Sequence, residues 1–238
     1  MGVRANFDRG PTGAARAAER GDVVVVVDTL SFSSTVATAV HHGSYVFPVA
    51  PGEDGAAIAA DTGGILTVPR SQVTEEGQLS LSPVPYQFLA PGTKVVCHSP
   101  NGGACCREAR EAPLLLAGCI LNAFAVAEAI RGADRPVTVV ACGEVRRDGS
   151  RRDAEEDDLG AGAILAALDR RLTGDALAIA DAFDLVREKL FHALSVCESG
   201  RELEEVGFAE DVAHAAKLDR YDSVPVLDTT GRPYFRRG

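Results

Sequence analysis

The chain has 238 residues, of which 46% are hydrophobic and 24% are charged, and its formal net charge is −10 at neutral pH. This composition can bury a substantial core and excludes a disordered chain, while the acidic balance argues against a nucleic-acid binder, which needs a basic face. Apolar runs fall short of the roughly 20 residues of a membrane helix and no signal peptide is evident, so we expect a soluble cytoplasmic protein without membrane contact.

Short runs rich in valine, leucine and isoleucine recur along the chain and predict strands. They are Val23–Val27, Tyr45–Val49, Ile65–Val68, Lys94–His98, Leu114–Cys119 and Val137–Ala141. Runs that are apolar at almost every position are typical of strands covered on both faces. We therefore predict an α/β protein, a three-layer α/β/α domain with a mainly parallel or mixed central sheet.

Helical patterns lie between and after these strands. They are predicted at Pro11–Arg20, Ser34–His42, Asn122–Arg131, Asp158–Leu172, Asp175–Leu194 and Ala209–Lys217. Asn122 is expected to be the N-cap of the third helix, with Gly132 after its end. The polar segment 146–158 predicts a solvated loop, and the segment after Tyr221 predicts one more strand and a turn. One domain over residues 1–238 is expected, with a looser boundary possible near 132–136.

Three predicted strands end in polar residues. Val23–Val27 leads into Asp28, Lys94–His98 leads into the sequence SPNGG, and Val137–Ala141 leads into CGE. In open α/β sheets, ligands bind outside the carboxyl ends of the strands. We therefore expect these three strand ends to meet at one ligand site.

Asp28 has several interpretations. It can cap the helix that follows, or it can be a ligand of Mg²⁺, which prefers carboxylate oxygens and retained water. Haloacid dehalogenase phosphatases also have a strand that ends in aspartate, but Leu30 stands where their second aspartate would be. The hydroxyl side chains after Asp28 could donate hydrogen bonds to an oxyanion at a helix N-terminus. They are Ser31, Ser33, Ser34 and Thr35.

Two other segments have both a functional and a purely structural interpretation. The Asn101-Gly102-Gly103 turn lets the backbone approach a ligand closely, or is a tight turn without one. Glu156 and Asp157 precede an apolar helix. Acidic residues at this end of a helix interact favourably with its dipole even when they have no functional role.

The six cysteines are more consistent with reduced thiols than with disulfides. Cys97, His98, Cys105 and Cys106 form a denser group, but no CxxC spacing accompanies them, which disfavours a zinc site. The role of Cys105 and Cys106 stays open at this point.

The chain resembles the 2-phosphosulfolactate phosphatases of coenzyme M biosynthesis in six segments that occur in the same order. They are DVVVVVDTLSFSST, SPNGG, LNAFAVAEAI, VTVVACGE, EDDLGAGAI and VGFAEDVAHAAKLDRYDSVPVL, and together they span nearly the whole chain. The resemblance implies an α/β/α fold and a Mg²⁺-dependent phosphomonoester hydrolase. It also implies a small phosphorylated or otherwise anionic substrate.

The same resemblance implies roles for individual residues. Asp28, with Glu156 or Asp157, would hold Mg²⁺, and we favour Asp28 and Asp157 as the metal ligands. The groups that would stabilise charge on the transferring phosphoryl group are Asn101, the backbone N–H groups of Gly102 and Gly103, and Arg70. Asp211, in FAEDV, matches a family position too, although it can equally cap a helix.

The chain also departs from the family pattern. Relatives usually carry an arginine at the position of Ser31, and three further motifs keep only Arg70, Ser82, Pro83, Asn101 and Gly102. The loss of an arginine removes a bidentate cation suited to phosphate or sulfonate. We therefore expect a changed substrate.

Two alternatives to a phosphatase remain. One is a lyase or transferase that uses Cys105, Cys106 or His98 in the same pocket. The other is a non-catalytic protein that binds a small molecule. A homo-oligomer is possible in every case.

Overall fold

The computed structural model describes residues 4–75, 77–146 and 148–238. Its strands alternate with helices along most of the chain. They are β1 (Arg4–Arg9), β2 (Val23–Val27), β3 (Tyr45–Val49), β4 (Ile65–Leu66), β5 (Lys94–His98), β6 (Leu114–Ala117), β7 (Val137–Ala141), β8 (Glu144–Val145), β9 (Arg151–Arg152), β10 (Arg171–Leu172), β11 (Pro225–Asp228) and β12 (Tyr234–Arg237).

The helices are short to medium in length. They are α1 (Gly10–Glu19), α2 (Phe32–His41), α3 (Gly55–Thr62), α4 (Gly102–Glu108), α5 (Ala123–Ile130), α6 (Glu155–Ala167), α7 (Gly174–Val186), α8 (Leu190–Val196), α9 (Glu198–Glu205) and α10 (Ala209–Ala215). Within the described ranges, these helices are too short or too polar to cross a membrane.

The main sheet is mixed and consists of two parallel blocks joined by a hairpin. Its ten described strands are ordered β10-β1-β7-β2-β6-β11-β12-β3-β5-β4. Neighbours are parallel from β10 to β6 and again from β3 to β4, whereas β11 and β12 pair antiparallel with each other and with the blocks beside them. The predicted α/β/α class with a mixed sheet is confirmed.

Both faces of β2 are buried, which explains its uninterrupted run of valines. Val23, Val25 and Val27 face a hydrophobic cluster built with α5, α6 and α7. Val24 and Val26 face a second cluster, built with α1, α2 and α4. Because helices cover both faces, apolar side chains are favoured at every position instead of every second one.

Two strands that are far apart in the sheet are followed by segments that meet. β2 and β5 are five positions apart in the strand order, which would separate them by about 24 Å in a flat sheet. Nevertheless, the backbone N of Gly102, after β5, lies 2.9 Å from Oδ2 of Asp28, after β2. The segments that follow two distant strands are therefore in contact.

The predicted strands correspond closely to the observed ones, but several helix predictions are wrong in extent. The predicted helix Asp158–Leu172 begins earlier, at Glu155, and ends at Ala167, because Arg171–Leu172 pairs with β1 as an edge strand. The predicted helix Asp175–Leu194 is divided into α7 and α8 by a 3₁₀ turn at Arg187–Lys189. Tertiary pairing overrides helix propensity at the first of these sites.

Other elements were not predicted at all. They are β1, α3, α4, α9 and the small hairpin of β8 and β9. This hairpin occupies much of the segment predicted to be a solvated loop, of which residue 147 lies outside the described residues. The C-terminal prediction of one strand and a turn becomes a two-stranded hairpin.

The predicted cap at Asn122 is correct in place but not in its contact. Asn122 stands at the N-cap of α5, yet its Oδ1 accepts the N–H of Cys119. The N–H of Phe124 is bonded instead by Oδ1 of Asp219, at 2.7 Å. A distant loop therefore caps this helix.

Candidate active site

Asp28 links two strand ends. Its Oδ1 accepts the N–H of Phe32, the first residue of α2, at 3.0 Å, and its Oδ2 accepts the N–H of Gly102, the first residue of α4, at 2.9 Å. The helix-capping interpretation of Asp28 thus holds for two helices at once. Each bond uses one lone pair of a carboxylate oxygen, which leaves a second lone pair on each oxygen for a further ligand.

Asp157 and Asn101 complete the junction. Asp157 Oδ1 accepts the N–H of Thr29 at 2.7 Å, and its Oδ2 accepts the N–H of Gly143, beyond β7, at 2.9 Å. Asn101 Oδ1 accepts the N–H of Val145 at 3.1 Å. The structure therefore brings together the ends of β2, β5 and β7.

Three buried carboxyl groups meet here, and burial dominates their titration. Asp28 is 5% exposed, and Glu156 and Asp157 are 2% exposed. Burial raises the pKa of Asp28 to about 6, with added repulsion from Glu156 and Glu144. Burial and the charge of Asp28 raise the pKa of Asp157 well above its ordinary value, and burial also raises that of Glu156. A bound cation would stabilise the ionised form of these carboxyl groups.

The donor set can be compared with what Mg²⁺ requires. Glu156 Oε2 is buried and has no hydrogen-bond partner within the described ranges. Mg²⁺ commonly binds one or two protein carboxylates and completes its octahedron with water and substrate oxygens. A ready-made group of three or more acidic, histidine or cysteine ligands is not present in the described part of the chain. The residues therefore fit Mg²⁺ held by one or two carboxylates, and not an enclosed protein cage.

A cleft of about 730 Å³ lies beside the carboxylates. Charged residues of both signs line it, together with Leu30 and other apolar residues. The arginines are Arg70, Arg146 and Arg152, and the acidic residues are Glu144, Asp148, Glu198, Glu202 and Glu205. Because Leu30 follows Asp28 by two residues and Arg152 approaches Glu156 to 4.0 Å, the cleft wall adjoins the acidic cluster. A small anion in this cleft would lie near both the arginines and the carboxylates.

Arg152 is a site residue that sequence reasoning missed. Its side chain is mostly buried and contacts Glu144, with Nε 3.4 Å from Oε1 of Glu198. In the sequence it belongs to a run of mixed charges, which is typical of a solvated loop. The pairing of Arg151–Arg152 with Glu144–Val145 as a hairpin, which buries Arg152, is visible only in three dimensions.

Arg70 lies in the cleft wall, as a substrate-binding role requires. Its Nη2 donates to Ser31 Oγ at 2.8 Å and to the carbonyl of Leu81, and lies 3.3 Å from Oδ2 of Asp211. Asp211 does not cap a helix with its side chain, because its other oxygen accepts the hydroxyl of Ser82 at 2.6 Å.

The hydroxyl patch after Asp28 lies inside the protein, contrary to the idea of an open oxyanion cradle. Ser33 Oγ donates to the carbonyl of Val26, and Ser34 Oγ donates to that of Thr29. Ser31 accepts from Arg70, and the hydroxyl of Thr35 is buried without a partner among the described residues. These groups serve the backbone around α2 because the whole first turn of that helix is buried.

The predicted glycine turn is the start of helix α4, and this changes the role available to its backbone. The N–H of Gly102 is taken by Asp28 and by Ser99 Oγ, at 3.0 Å, so it is not free for a substrate. A Cβ at Gly102 would lie 2.2 Å from the ring of Phe32, and one at Gly103 would lie 2.5 Å from the carbonyl oxygen of Val49. Close packing, and not ligand approach, requires both glycines.

The thiols are inside the protein. All six cysteines are buried and free, and Cys105 and Cys106 belong to the second hydrophobic cluster. Burial raises the pKa of the Cys106 thiol well above its ordinary value, which disfavours the nucleophilic thiolate. This geometry gives no support to a reaction that uses Cys106.

The chain is similar to known proteins over most of its length. A family model described as 2-phosphosulpholactate phosphatase matches residues 12–230. A probable 2-phosphosulfolactate phosphatase of Caldanaerobacter subterraneus subsp. tengcongensis is 30% identical over 215 residues, covering 86% of this chain and 87% of the relative. A counterpart from Pseudothermotoga lettingae is 32% identical, with 86% and 89% covered.

A third relative, a 2-phosphosulfolactate phosphatase of Methanothermobacter thermautotrophicus, is 29% identical over 230 residues, covering 95% of this chain and 92% of the relative. The similarity therefore includes the ends of β2, β5 and β7 and the cleft beside them. On this evidence, the chain belongs to the 2-phosphosulpholactate phosphatase family.

Proposed function

We propose that this protein is a Mg²⁺-dependent phosphomonoester hydrolase that acts on a small anionic metabolite in the cytoplasm. The observation that carries the proposal is the buried group of Asp28, Glu156 and Asp157 beside a cleft whose wall includes three arginines. Family membership supports phosphatase chemistry, because the relatives are named as phosphatases. A buried cluster of carboxyl groups with raised pKa values is also a common property of catalytic sites.

Asp28 and Asp157 are the proposed Mg²⁺ ligands. Bound Mg²⁺ would polarise a phosphoryl oxygen and lower the pKa of a water molecule. The backbone N–H bonds to both carboxylates hold their oxygens in place, so little reorganisation is needed when a cation and substrate bind. These hydrogen bonds distinguish Asp28 and Asp157 from acidic residues that only interact with a helix dipole.

Glu156 and Asn101 have complementary proposed roles. Glu156 Oε2 has no hydrogen-bond partner within the described ranges. It can therefore accept a proton from an attacking water molecule, or a hydrogen bond from a water molecule bound to the metal. Asn101 Oδ1 is engaged by Val145, which leaves its Nδ2 group as the donor for a phosphoryl oxygen.

Arg70 is proposed to bind the anionic substrate, and the environment of Ser31 supports a changed substrate. The hydroxyl of Ser31 accepts a hydrogen bond from Arg70 and adds no positive charge of its own. With serine in place of arginine at this position, a substrate with two strongly anionic ends would therefore meet one cation fewer. We infer a preference for a substrate other than 2-phosphosulfolactate.

A phosphate-release screen tests the function directly. Phosphorylated small acids and sugars, with 2-phosphosulfolactate among them, would be assayed with Mg²⁺ and with a chelator. We expect Mg²⁺-dependent release, with 2-phosphosulfolactate not the preferred substrate. If no phosphate is released from any compound, the hydrolase proposal is wrong; if 2-phosphosulfolactate is clearly preferred, only the changed substrate is wrong.

Replacing Asp28 tests the proposed centre. The Asp28→Asn variant should lose at least about 100-fold in turnover, since a charge at the reacting centre is removed. Asp61→Asn is a suitable control, because Asp61 is exposed and pairs with Arg232 outside the cleft. Equal turnover in the wild type and the Asp28→Asn variant, at equal folded fraction by circular dichroism, would exclude Asp28 from the mechanism.

A further inference from the structure

Arg70 is held on one side and open on the other. Its side chain is 22% exposed in the cleft wall. The contacts to Ser31, Leu81 and Asp211 all involve Nη2. An arginine has five N–H donors, so these contacts occupy only one end of the guanidinium.

Asp211 is the only charged group among those contacts, and it is itself firmly placed. It is 1% exposed and lies in the first turn of α10. Ser82 Oγ donates to its Oδ1 at 2.6 Å, while Arg70 lies 3.3 Å from its Oδ2. Both oxygens are therefore engaged by groups from the segment that follows β4.

The start of α10 supports the guanidinium in a second way. The ring of Phe208 lies 5.3 Å from the Arg70 guanidinium carbon, within the range of a cation–π contact. Phe208 and Asp211 are three residues apart, so one short stretch of chain supplies both an aromatic face and a carboxylate to Arg70.

α10 is also anchored to the element that follows Asp28. Nε2 of His214 lies 3.0 Å from Thr38 Oγ1 of α2, and 3.3 Å from the hydroxyl of Tyr221. The first N–H of α2 is bonded by Asp28. One helix therefore connects the position of Arg70 with the position of the carboxylate cluster.

One donor of Arg70 is buried and has no partner within the described part of the chain. Nε is buried and has no hydrogen-bond acceptor among the described residues. A buried unpaired donor is unfavourable, and a ligand oxygen that accepts its hydrogen would relieve that loss. Charge-assisted bonds from arginine to phosphate or sulfonate oxygens are among the stronger hydrogen bonds in proteins.

We propose that Asp211 is a positioning residue for anion recognition: its carboxylate, fixed by Ser82, orients Arg70 so that the guanidinium binds an oxyanion of the substrate. This inference rests on the proposed function, in which Arg70 contacts the substrate. Asp211 touches no reacting atom. Its contribution is to reduce the rotational freedom that a long arginine side chain would otherwise lose on binding.

The test compares binding with catalysis in two variants and a control. Asp211→Asn keeps the shape of the side chain and removes its charge, and Ser82→Ala removes the hydroxyl that holds it. Asp61→Asn is the matched control, since it breaks an exposed aspartate–arginine pair outside the cleft. Inorganic phosphate is the binding probe, measured by calorimetry, and KM and kcat are measured with the substrate found by phosphate release.

We expect the Asp211→Asn variant to bind phosphate about tenfold more weakly and to show a KM raised by a similar factor, with a smaller change in kcat. Ser82→Ala should act in the same direction with a smaller effect, and Asp61→Asn should behave as the wild type. If Asp211→Asn does not fold, the Ser82→Ala result decides.

Unchanged phosphate affinity and KM in both variants would overturn the inference, as would a lower kcat at unchanged KM, which indicates only a loss of folded enzyme. A wild-type protein that binds no phosphate would also overturn it. A wild type that binds phosphate but hydrolyses nothing would refute the proposed function alone, and the binding data would then still judge Asp211.

Discussion

Asp28 serves the fold and the candidate site through the same two oxygen atoms. Each oxygen accepts the first N–H of a helix, which fixes where α2 and α4 begin. The same burial that makes these bonds effective raises the pKa of Asp28 to about 6. A structural cap and a site carboxylate are therefore not alternatives here, because one buried group can satisfy both requirements.

The titration of Asp28 predicts a pH dependence of stability. Its pKa in the folded protein, about 6, is above its ordinary value of 3.8, so the folded state binds this proton more tightly than the unfolded chain does. The contribution favours folding below about pH 4 and is lost as the pH rises to about 6. A difference of this size corresponds to about 3 kcal/mol in the free energy of unfolding.

The measurement is urea unfolding of the wild type and of Asp28→Asn between pH 4 and pH 7, in a chelating buffer. The wild type should lose about 2 kcal/mol relative to the variant across this range, because the unfolded carboxyl group is already partly ionised at pH 4. The change of amide for carboxylate also weakens one cap, but that loss does not depend on pH in this window. A difference that stays constant, or that grows with pH, would contradict the raised pKa.

At the scale of elements, two glycines of α6 allow neighbouring elements to approach this helix closely. A Cβ at Gly160 would lie 2.4 Å from Thr29 Oγ1, and one at Gly162 would lie 2.6 Å from the carbonyl oxygen of Ile179 in α7. Glycine at these two positions lets the end of β2 and the helix α7 approach α6. Because Glu156 and Asp157 lie in the first turn of α6, this packing also sets the depth of both carboxyl groups.

Gly162→Ala should therefore destabilise the protein. The added methyl group meets backbone and the Cβ of Phe183, neither of which can rotate away, so we expect a loss of about 1–3 kcal/mol in the free energy of unfolding. Gly174→Ala is the matched control, as none of the described residues has an atom within 4 Å of its added Cβ. Chemical denaturation checks the pair, and equal midpoints for both variants would show that α6 and α7 are not this close.

At the scale of the whole molecule, the C-terminal hairpin joins the two parallel blocks. β11 pairs with β6 and β12 pairs with β3, so this hairpin lies in the sheet between the strands that precede Asp28 and Gly102. Phe235 of β12 is fully buried, with its ring centroid 6.2 Å from that of Phe32. The last strand in the sequence thus packs on the first residue of α2.

Phe235→Ala should cost about 3–5 kcal/mol in the free energy of unfolding, because it leaves a cavity between the two blocks. Phe88→Ala is the control, since Phe88 is 83% exposed and should change stability by no more than about 0.5 kcal/mol. Urea unfolding measures both variants. A loss at Phe235 no larger than at Phe88 would mean that the hairpin does not hold the blocks together.

Much of the sheet could be predicted because its strands are apolar on both faces. Val23–Val27, Lys94–His98 and Val137–Ala141 were recognised to the residue, and so were the polar ends that follow them. The short β10 could not be recognised, since Arg171–Leu172 is a strand only through its partner β1. Pairing partners distant in the sequence leave no local pattern.

The acidic residues of the site could be predicted from the sequence, but its hydrogen-bond donors could not. A lone aspartate after a buried strand is informative by itself, whereas a hydroxyl such as that of Ser34 can face a ligand or a backbone carbonyl with the same local sequence. Arg152 was missed for a related reason, because only the β8–β9 hairpin buries a charge that looks solvated in sequence. That residues 1–238 form one domain stays a prediction.

The sequence by itself determined the layered α/β class, most strand bounds and the family resemblance, because these depend on local apolar patterns and on the order of motifs. Only the tertiary structure decided that β2 and β5, five positions apart in the sheet, bring Asp28 and Gly102 into contact. It also decided that Arg70 is held by Asp211, 141 residues away. Strand order and long-range hydrogen bonds are properties of the assembled chain, and no local run of residues encodes them.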